Sequence, residues 1–372
     1  MTKHIVVTGT RGIPNVMGGV ETHCEELYPR VVKNGYDVDV IRRKSYVNDG
    51  LKEWNGVGLI DVYSPKIKAF EAIIHTFLAI IKAKIIGADI IHIHAIGPAL
   101  LVPFARLLGM RVVFTSHGPD YDRKKWGKVA KKILQLGEKY GSIYADEVIV
   151  ISKVIDDIIK NRYHRNDCHI IPNGVPAPVF IHDTEYLQEL GIESRKYILA
   201  MCRFVPEKNL HHLVEAYIKL KEQGKVNDIK LVIAGDADFE DDYSKNLKKM
   251  AQENNVIMTG FIKGKKLQTL LTHARCYILP SSHEGLPIGL LEAMSYHLPV
   301  IVSDIPAHTE IALDHQCYFH LGNVAELTQA MQRNIESDFT PIEYDLQKYD
   351  WDNISEEVCQ VYRLCLQKNK KN

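Results

Sequence analysis

Nothing in the 372 residues approaches the roughly 20 consecutive apolar residues that span a bilayer. The most apolar stretch, residues 72–91, is broken by His75, Lys82, Lys84 and Asp89. No secretory leader is expected, because Met1-Thr2-Lys3 runs straight into the strand-like His4–Val7. The seven cysteines are an odd number, widely scattered, with no Cys-x-x-Cys pair. That fits buried thiols in a reducing compartment better than a disulfide framework or a zinc site. A cytoplasmic protein is the expectation from both absences. The first turn lacks the Gly-x-Gly-x-x-Gly spacing of a dinucleotide fingerprint, which weighs against a nicotinamide cofactor. Net charge is also missing, with 46 basic and 46 acidic residues, and no nucleic-acid partner is expected. The zero hides an asymmetry. Residues 1–172 carry 25 Lys and Arg against 18 Asp and Glu, and residues 173–372 carry the remaining 21 against 28. Such a split suits a first half that meets something anionic, or surface charge that drifts between domains without purpose.

What is present is an alternation of short β-branched runs with helix-length segments. Strands are expected at His4–Thr8, Val38–Ile41, Ile90–Ile93, Val112–Thr115 and Val148–Ile151. A second series is expected at Tyr197–Met201, Lys230–Ala234, Val256–Thr259, Cys276–Leu279 and Val300–Val302. Continuous apolar runs of this kind belong to strands buried on both faces of a parallel sheet. The chain is therefore α/β, with two Rossmann-like doubly wound parallel-sheet domains, and its length suits two cores. Residues 171–178 hold three prolines and a glycine, a poor strand and a worse helix. The inter-domain linker is placed there, dividing the chain into 1–172 and 173–353. A tail helix follows, with Val358, Val361 and Leu364 or Cys365 on one stripe; it either ends the second domain or crosses back to the first.

Ligands of open α/β sheets bind at the carboxyl ends of the strands, so candidate residues should lie just after them. After the first strand comes Gly9-Thr10-Arg11-Gly12-Ile13-Pro14, then Gly18-Gly19 opening a helix, where backbone N–H groups can approach a phosphate. Arg203 and Lys208 follow the first strand of the second series. Fixed cations there would stabilise the negative charge that grows on a diphosphate leaving group. In residues 280–293, Gly285 permits close backbone approach, Pro287 suits a helix start, and the helix N-terminus offers itself to an anion. Glu292 sits between Leu291 and Ala293 and needs hydrogen-bonding partners, which vicinal ribose hydroxyls would supply. His117 ends a first-domain strand and can hydrogen-bond a sugar or an acceptor hydroxyl. His92 and His94 share one face of a strand, but no third ligand stands at a diagnostic spacing. Asp236-Ala237-Asp238 spells a metal-holding triplet of some sugar transferases. Here it reads instead as a loop entering a helix with an acidic first turn, so no metal and no other cofactor is expected.

Together these residues resemble glycosyltransferase family 4, the retaining enzymes of the GT-B fold. Gly18-Gly19-Val20-Glu21 is similar to the family's N-terminal glycine loop, and Arg203 with Lys208 to its donor-phosphate pair. Glu284 and Glu292 match its E-x7-E motif in a Pro-Ser-x-x-Glu-Gly-Leu-Pro context, and His117 matches its first-domain histidine. The resemblance implies a nucleotide diphosphate sugar as donor co-substrate in a cleft between facing domains. Glu284, Gly285 and Leu286 would lie at the donor sugar, Glu292 at the ribose, and Arg203 and Lys208 at the diphosphate. It also implies retention at the anomeric carbon without a metal, by front-face attack, and a tail helix that crosses back onto the first domain. The Gly9–Pro14 turn resembles a branch that includes rhamnosyl and other transferases of bacterial capsule and O-antigen assembly. Cys202 and Asn209 depart from the family's usual glycines, and Asp236-Ala237-Asp238 replaces a common Gly-x-Gly turn. The competing functions are a GT-B epimerase or phosphorylase on the same donors, and a non-catalytic nucleotide-sugar-binding module.

Two basic-apolar segments suggest a lipid-linked saccharide acceptor at an anionic membrane, on its cytoplasmic face. One is residues 66–84, a helix with Phe70, Ile73, Ile74, Phe77, Leu78 and Ile81 on its apolar side and Lys66, Lys68, Lys82 and Lys84 at its ends. An apolar stripe at helical spacing is ordinarily core. The other is Arg123-Lys124-Lys125-Trp126-Gly127-Lys128 with Lys131 and Lys132, close after His117.

Overall fold

The computed structural model describes residues 2–65, 71–123, 126–226, 228–238 and 240–368. The chain divides into two compact units, Met1–Gly174 with Lys348–Asn372, and Val175–Gln347. Unit 1 holds an eight-stranded sheet: β1 (His4–Thr8), β2 (Asp37–Arg43), β3 (Glu53–Trp54), β4 (Val57–Val62), β5 (Ile90–His94), β6 (Arg111–Ser116), β7 (Glu147–Val150) and β8 (His169–Ile170). Their spatial order is β3-β4-β2-β1-β5-β6-β7-β8, parallel throughout except for the antiparallel β3–β4 pair. Unit 2 holds a parallel six-stranded sheet of β9 (Tyr197–Met201), β10 (Lys230–Ala234), β11 (Ile257–Gly260), β12 (Cys276–Leu279), β13 (Val300–Ser303) and β14 (Tyr318–Phe319). Its order is β11-β10-β9-β12-β13-β14. Both units are the expected doubly wound parallel-sheet α/β layers. The order reverses direction between β1 and β5 in unit 1 and between β9 and β12 in unit 2. These are the switch points where a crevice opens at the carboxyl edge.

The central strands coincide with the apolar runs because burial on both faces selects mostly apolar residues; β9 and β12 are buried at nearly every position. The strands missing from the sequence reading are β3, β4, β8 and β14. Three of them are only two residues long, and β4 is interrupted by Gly58 and Asp61, which lie at the sheet margin.

The division after Gly174 falls inside the Pro-rich stretch, two residues beyond the expected boundary. The tail joins unit 1 from Lys348, not from 354, because Trp351 is fully buried there. A Cβ on Gly174 would lie 2.5 Å from the Trp351 ring. The tail helix Trp351–Gln367 is capped by Asp350, whose Oδ1 accepts from the N–H of Asp352 at 3.0 Å and of Asn353 at 2.9 Å. It buries Ile354, Val358, Val361, Tyr362 and Cys365 and exposes Leu364, which resolves the ambiguous end of its stripe. Across from it the helix Gly19–Lys33 contributes Cys24, Leu27, Tyr28 and Val31 to the same core.

Two helices of unit 1 turn apolar side chains outward; for the first, in residues 66–84, an apolar stripe at helical spacing would ordinarily be core. In the helix Glu71–Ile85 the buried positions are Glu71, His75, Thr76, Ala79, Ile80 and Ala83. Ile74 and Phe77 remain 37% and 41% exposed. Lys66, Lys68 and Phe70 lie outside the described residues. The helix Lys128–Tyr144 buries Gly137, Glu138, Gly141 and Ser142. Its glycines admit close packing: a Cβ on Gly137 would lie 1.9 Å from the Ile96 carbonyl oxygen, and one on Gly141 2.6 Å from the Phe114 ring. Val129, Ile133, Leu136, Ile143 and Tyr144 are exposed.

All three tryptophans, Trp54, Trp126 and Trp351, belong to unit 1, so tryptophan fluorescence follows the unfolding of that unit alone. Gly174→Ala should destabilise it by about 1–3 kcal/mol, the usual cost of overpacking. A urea titration followed by fluorescence should show the midpoint moving down, with the circular dichroism of unit 2 changing separately.

Candidate active site

In unit 2 the loops that leave β9 and β12 meet at the switch point. Three hydrogen bonds stitch them together. Ser282 N–H and Ser282 Oγ donate to the Glu207 carbonyl at 2.8 and 3.1 Å, and Asn209 Nδ2 donates to the Pro280 carbonyl at 3.1 Å. Asn209 lies at φ 47°, a left-handed position that asparagine tolerates, so this departure from glycine is sterically accommodated. The stitching brings Lys208 Nζ onto Glu284 Oε1 in an ion pair, with the two side chains only 17% and 10% exposed. Burial alone would raise the Glu284 carboxyl. The charges of Lys208 and His308, with the hydrogen bond from Lys208, outweigh it and hold Glu284 below the usual carboxylate value. His308, buried beside this pair, gives its Nδ1 to the Ser303 carbonyl at 2.8 Å, and burial keeps it below the ordinary imidazole value. Sequence reasoning missed His308, because nothing in its spacing ties it to Glu284.

Arg203 is not held open at the strand mouth. Its Nη1 donates to Asp238 Oδ2 at 2.9 Å, while Asp236 Oδ1 takes Lys248 at 2.9 Å. The acidic triplet thus binds two of the protein's own cations. Gly235 before it is required: a Cβ there would lie 2.0 Å from the Cys202 carbonyl oxygen. Beyond Glu284 and Gly285, Leu286 is buried, which leaves its backbone as the part that can meet a donor. Pro287 stands at the N-cap, one place before the helix Ile288–Ser295, and no side chain caps that helix. Glu292 is half-buried on this helix. Gly289 lets the helix approach β9 and β12, since a Cβ would meet Tyr277 Oη at 3.1 Å and Met201 Cε at 3.2 Å. A buried carboxylate, two cations and an uncapped helix N-terminus at one sheet edge can bind a diphosphate and a polyhydroxyl group together.

In unit 1 the loop after β1 crosses the end of β5 so closely that a Cβ on Gly9 would lie 2.1 Å from the His94 carbonyl oxygen. Gly18 is the N-cap of the helix Gly19–Lys33. A Cβ on Gly18 would meet Glu21 Oε2 at 2.0 Å, whereas Gly19 faces open space. Glu21, which the sequence reading quoted but gave no role, accepts from Arg11 N–H at 3.0 Å and from Thr10 Oγ1 at 3.4 Å, and so ties the loop to the helix start. His117 follows β6 and bonds His94, Nε2 to Nδ1, at 2.9 Å. Sequence spacing supplied no third histidine beside His92 and His94. Folding brings His23, His94 and His117 together, with ring nitrogens within 4.8 Å of one another. Two nitrogens on one tetrahedral ion at about 2.0–2.1 Å would be about 3.3 Å apart; the 2.9 Å between His94 and His117 is a hydrogen bond. Burial lowers His23 to about 4 and His92 to about 3, and His94 and His117 well below the ordinary value.

Of the basic segment after His117, Arg123 pairs with Asp120 at 2.8 Å and Trp126 is half-buried. Lys124 and Lys125 lie outside the described residues.

Two family models match the chain: Glycosyltransferase Family 4 over residues 17–177, and Glycosyl transferases group 1 over residues 183–349. A glycosyltransferase of Methanocaldococcus jannaschii is 25% identical, over 95% of this chain and 96% of its own. The UDP-Gal:alpha-D-GlcNAc-diphosphoundecaprenol alpha-1,3-galactosyltransferase of Escherichia coli is 26% identical, over 78% of this chain and 77% of its own. Among solved structures, the sucrose-phosphate synthase of Thermosynechococcus elongatus superposes with a TM-score of 0.81 at 19% identity, over 98% of both chains. Anabaena HepE in complex with UDP-glucose superposes with a TM-score of 0.77 at 16% identity, over 98% of this chain and all of its own.

The coupling of Lys208 to Glu284 has a measurable sign. In the wild type the folded Glu284 value lies below the unfolded one, so the pair's stabilisation is present above the unfolded carboxyl value and is lost as pH falls through the folded one. In Lys208→Met burial is left with less to oppose it, and the Glu284 value should rise, making unit 2 less stable as pH increases through it. Carbon-13 titration of the glutamate carboxyls should show one resonance moving upward by a unit or more.

Proposed function

Because the chain belongs to the family 4 glycosyltransferases of the GT-B fold, we propose that it moves a hexose or deoxyhexose from a nucleotide diphosphate sugar to a lipid-diphosphate-linked saccharide. The setting is surface-polysaccharide synthesis, at the inner face of an anionic membrane. The observation that carries the donor half is the buried Lys208–Glu284 pair beside Arg203. Lys208 keeps Glu284 ionised, so its carboxylate accepts from sugar hydroxyls while the ammonium stays within reach of the diphosphate. Arg203 exchanges Asp238 for a phosphate oxygen. As the glycosidic bond lengthens, charge grows on the leaving diphosphate, and the two cations stabilise that charge more than the ground state. Glu292, further along the helix, accepts from the ribose hydroxyls, and the exposed N–H groups near Gly285 and Ile288 face the phosphates. With cations already present, no divalent metal is required, and transfer proceeds with retention. Gly18 and Gly19, at a helix N-terminus of unit 1, offer backbone N–H groups of the same kind.

The acceptor half rests on the outward apolar faces of unit 1. Ile74, Phe77, Val129, Ile133 and Leu136 are exposed at helical spacing, and Lys84, Lys128, Lys132 and Lys139 are exposed on the same two helices. Apolar residues among lysines suit the headgroup region of an anionic leaflet, at about 1 kcal/mol per cation near the surface. The Escherichia coli relative is named for a diphosphoundecaprenol-linked acceptor, which fits the same chemistry.

Incubation with a panel of nucleotide sugars and a diphosphoundecaprenol-linked acceptor, in excess chelator, should yield a glycosylated lipid. Arg203→Ala and Lys208→Ala should each lower turnover at saturating donor on the order of a hundredfold, as for loss of one transition-state donor. Transfer that stops in chelator and returns with magnesium overturns the metal-free reading, and normal turnover in both variants removes the cations from the mechanism.

Flotation with liposomes of graded anionic content checks the surface. Binding should rise with anionic lipid, weaken in high salt, and drop at least tenfold in Val129→Asp/Ile133→Asp. Indifference to lipid charge would point to a soluble acceptor.

A further inference from the structure

A continuous hydrogen-bond chain runs through the core of unit 1 to His117. Thr115 Oγ1 meets His92 Nε2 at 2.7 Å. On the other side of that ring, His92 Nδ1 meets two phenol oxygens, Tyr362 at 2.7 Å and Tyr28 at 3.1 Å. The Tyr28 hydroxyl also makes a short bond with His94 Nε2, and His94 Nδ1 meets His117 Nε2 at 2.9 Å. Thr115, Tyr28, His92, His94 and Tyr362 are all buried. Their backbones belong to β5, β6, the helix Gly19–Lys33 and the tail helix, so the chain is held by the fold and not by a loop.

The protons along it have one consistent direction. A ring N–H can be shared between two oxygens, whereas a ring lone pair accepts one proton. With two phenol oxygens against it, His92 Nδ1 carries the proton, and Nε2 accepts from the Thr115 hydroxyl. The Tyr28 oxygen is then an acceptor toward His92, so its proton goes to His94 Nε2. His94, neutral because it is buried among other imidazoles, keeps its own proton on Nδ1 and donates it to His117 Nε2. His117 is left with its proton on Nδ1, the ring position the chain does not use. Every contact in the series is satisfied by one proton per group.

We infer that Thr115, His92, Tyr28 and His94 fix His117 as the neutral Nδ1–H tautomer, so that His117 serves a bound substrate as a hydrogen-bond donor and never as a base. The catalytic part of this rests on the proposed glycosyl transfer; the tautomer does not depend on it. Tyr28 and His94 are positioning residues. A donor in a fixed tautomer reaches a sugar or phosphate oxygen with no reorganisation at the moment of reaction.

Long-range proton–nitrogen correlation spectra of the full chain labelled with nitrogen-15 histidine report the tautomer directly, with His94→Gln and His117→Gln assigning the signals. His94 and His117 should both show the Nδ1–H pattern between pH 6 and 8. In Tyr28→Phe the donor to His94 Nε2 is gone and nothing holds the pair in one direction, so the pure Nδ1–H pattern should be lost from both rings in favour of a mixture, and kcat should fall roughly tenfold to a hundredfold, as when an outer partner of a working imidazole is removed. A charged or Nε2–H His117 in the wild type overturns the proposal, as does Nδ1–H persisting in folded Tyr28→Phe. Should Tyr28→Phe fail to fold, the wild-type spectrum decides alone. Nδ1–H in the wild type with normal turnover in His117→Ala upholds the chain and overturns the placing of His117 at the sugar.

Discussion

Parallel pairing puts the carboxyl ends of all the strands in a sheet on one edge, and every candidate residue of this protein depends on that constraint. Residues far apart in sequence become neighbours only because their strands end side by side. Lys208 and Glu284 are 76 positions apart and share an ion pair because β9 and β12 are adjacent at the reversal of strand order. His94 and His117 meet because β5 and β6 are adjacent. The loops that leave these ends run close to neighbouring backbone, and Gly9 and Gly235 stand where a Cβ would overlap a carbonyl oxygen of the next strand's end. A single added methyl group at either position would push the loop off the edge that gives it its role.

The two edges solve different electrostatic problems. In unit 2 ionised groups are half-withdrawn from water and each has an opposite charge: Lys208 with Glu284, Arg203 with Asp238, Lys248 with Asp236. Paired charges survive partial burial, and they leave a site whose partners can be exchanged for those of an anionic ligand. Around His117 in unit 1 the buried groups are imidazoles and phenols, which burial holds neutral. A neutral network transmits orientation where a charged one transmits field.

The strands legible in the sequence are those buried on both faces, such as β5, β9 and β12, because their residues are mostly apolar. The two-residue strands β3, β8 and β14 leave no such signature. Arg203, Lys208, Glu284 and Glu292 stand in motifs of fixed local spacing, so they could be picked out, but their partners could not. Asp238 as the mate of Arg203, His308 beside Glu284, and Tyr28 and Tyr362 around His92 are set by strand order, to which residue spacing is blind. The sequence leaves open, for a related reason, which way the apolar faces of the unit 1 helices turn. Periodicity identifies an amphipathic helix but not which stripe meets the sheet. In the helix Lys128–Tyr144 the packing stripe is Gly137, Glu138, Gly141 and Ser142, small or specifically bonded residues that permit a closer approach than Val129, Ile133 and Leu136 would.

The tail helix Trp351–Gln367 supplies Trp351, Val358 and Tyr362 to the core of unit 1, whose other residues come from the first half of the chain. Unit 2 is contiguous. During synthesis, therefore, the ordinary rule that the N-terminal part folds first is inverted. Residues 175–347 have their whole core in hand once they emerge from the ribosome, while the earlier-made sheet waits, one wall missing, for the final turns of helix. Until that helix docks, the apolar side of Gly19–Lys33 and the faces of Tyr28 and His92 are uncovered, which makes the nascent first half the part of the chain that a chaperone would hold.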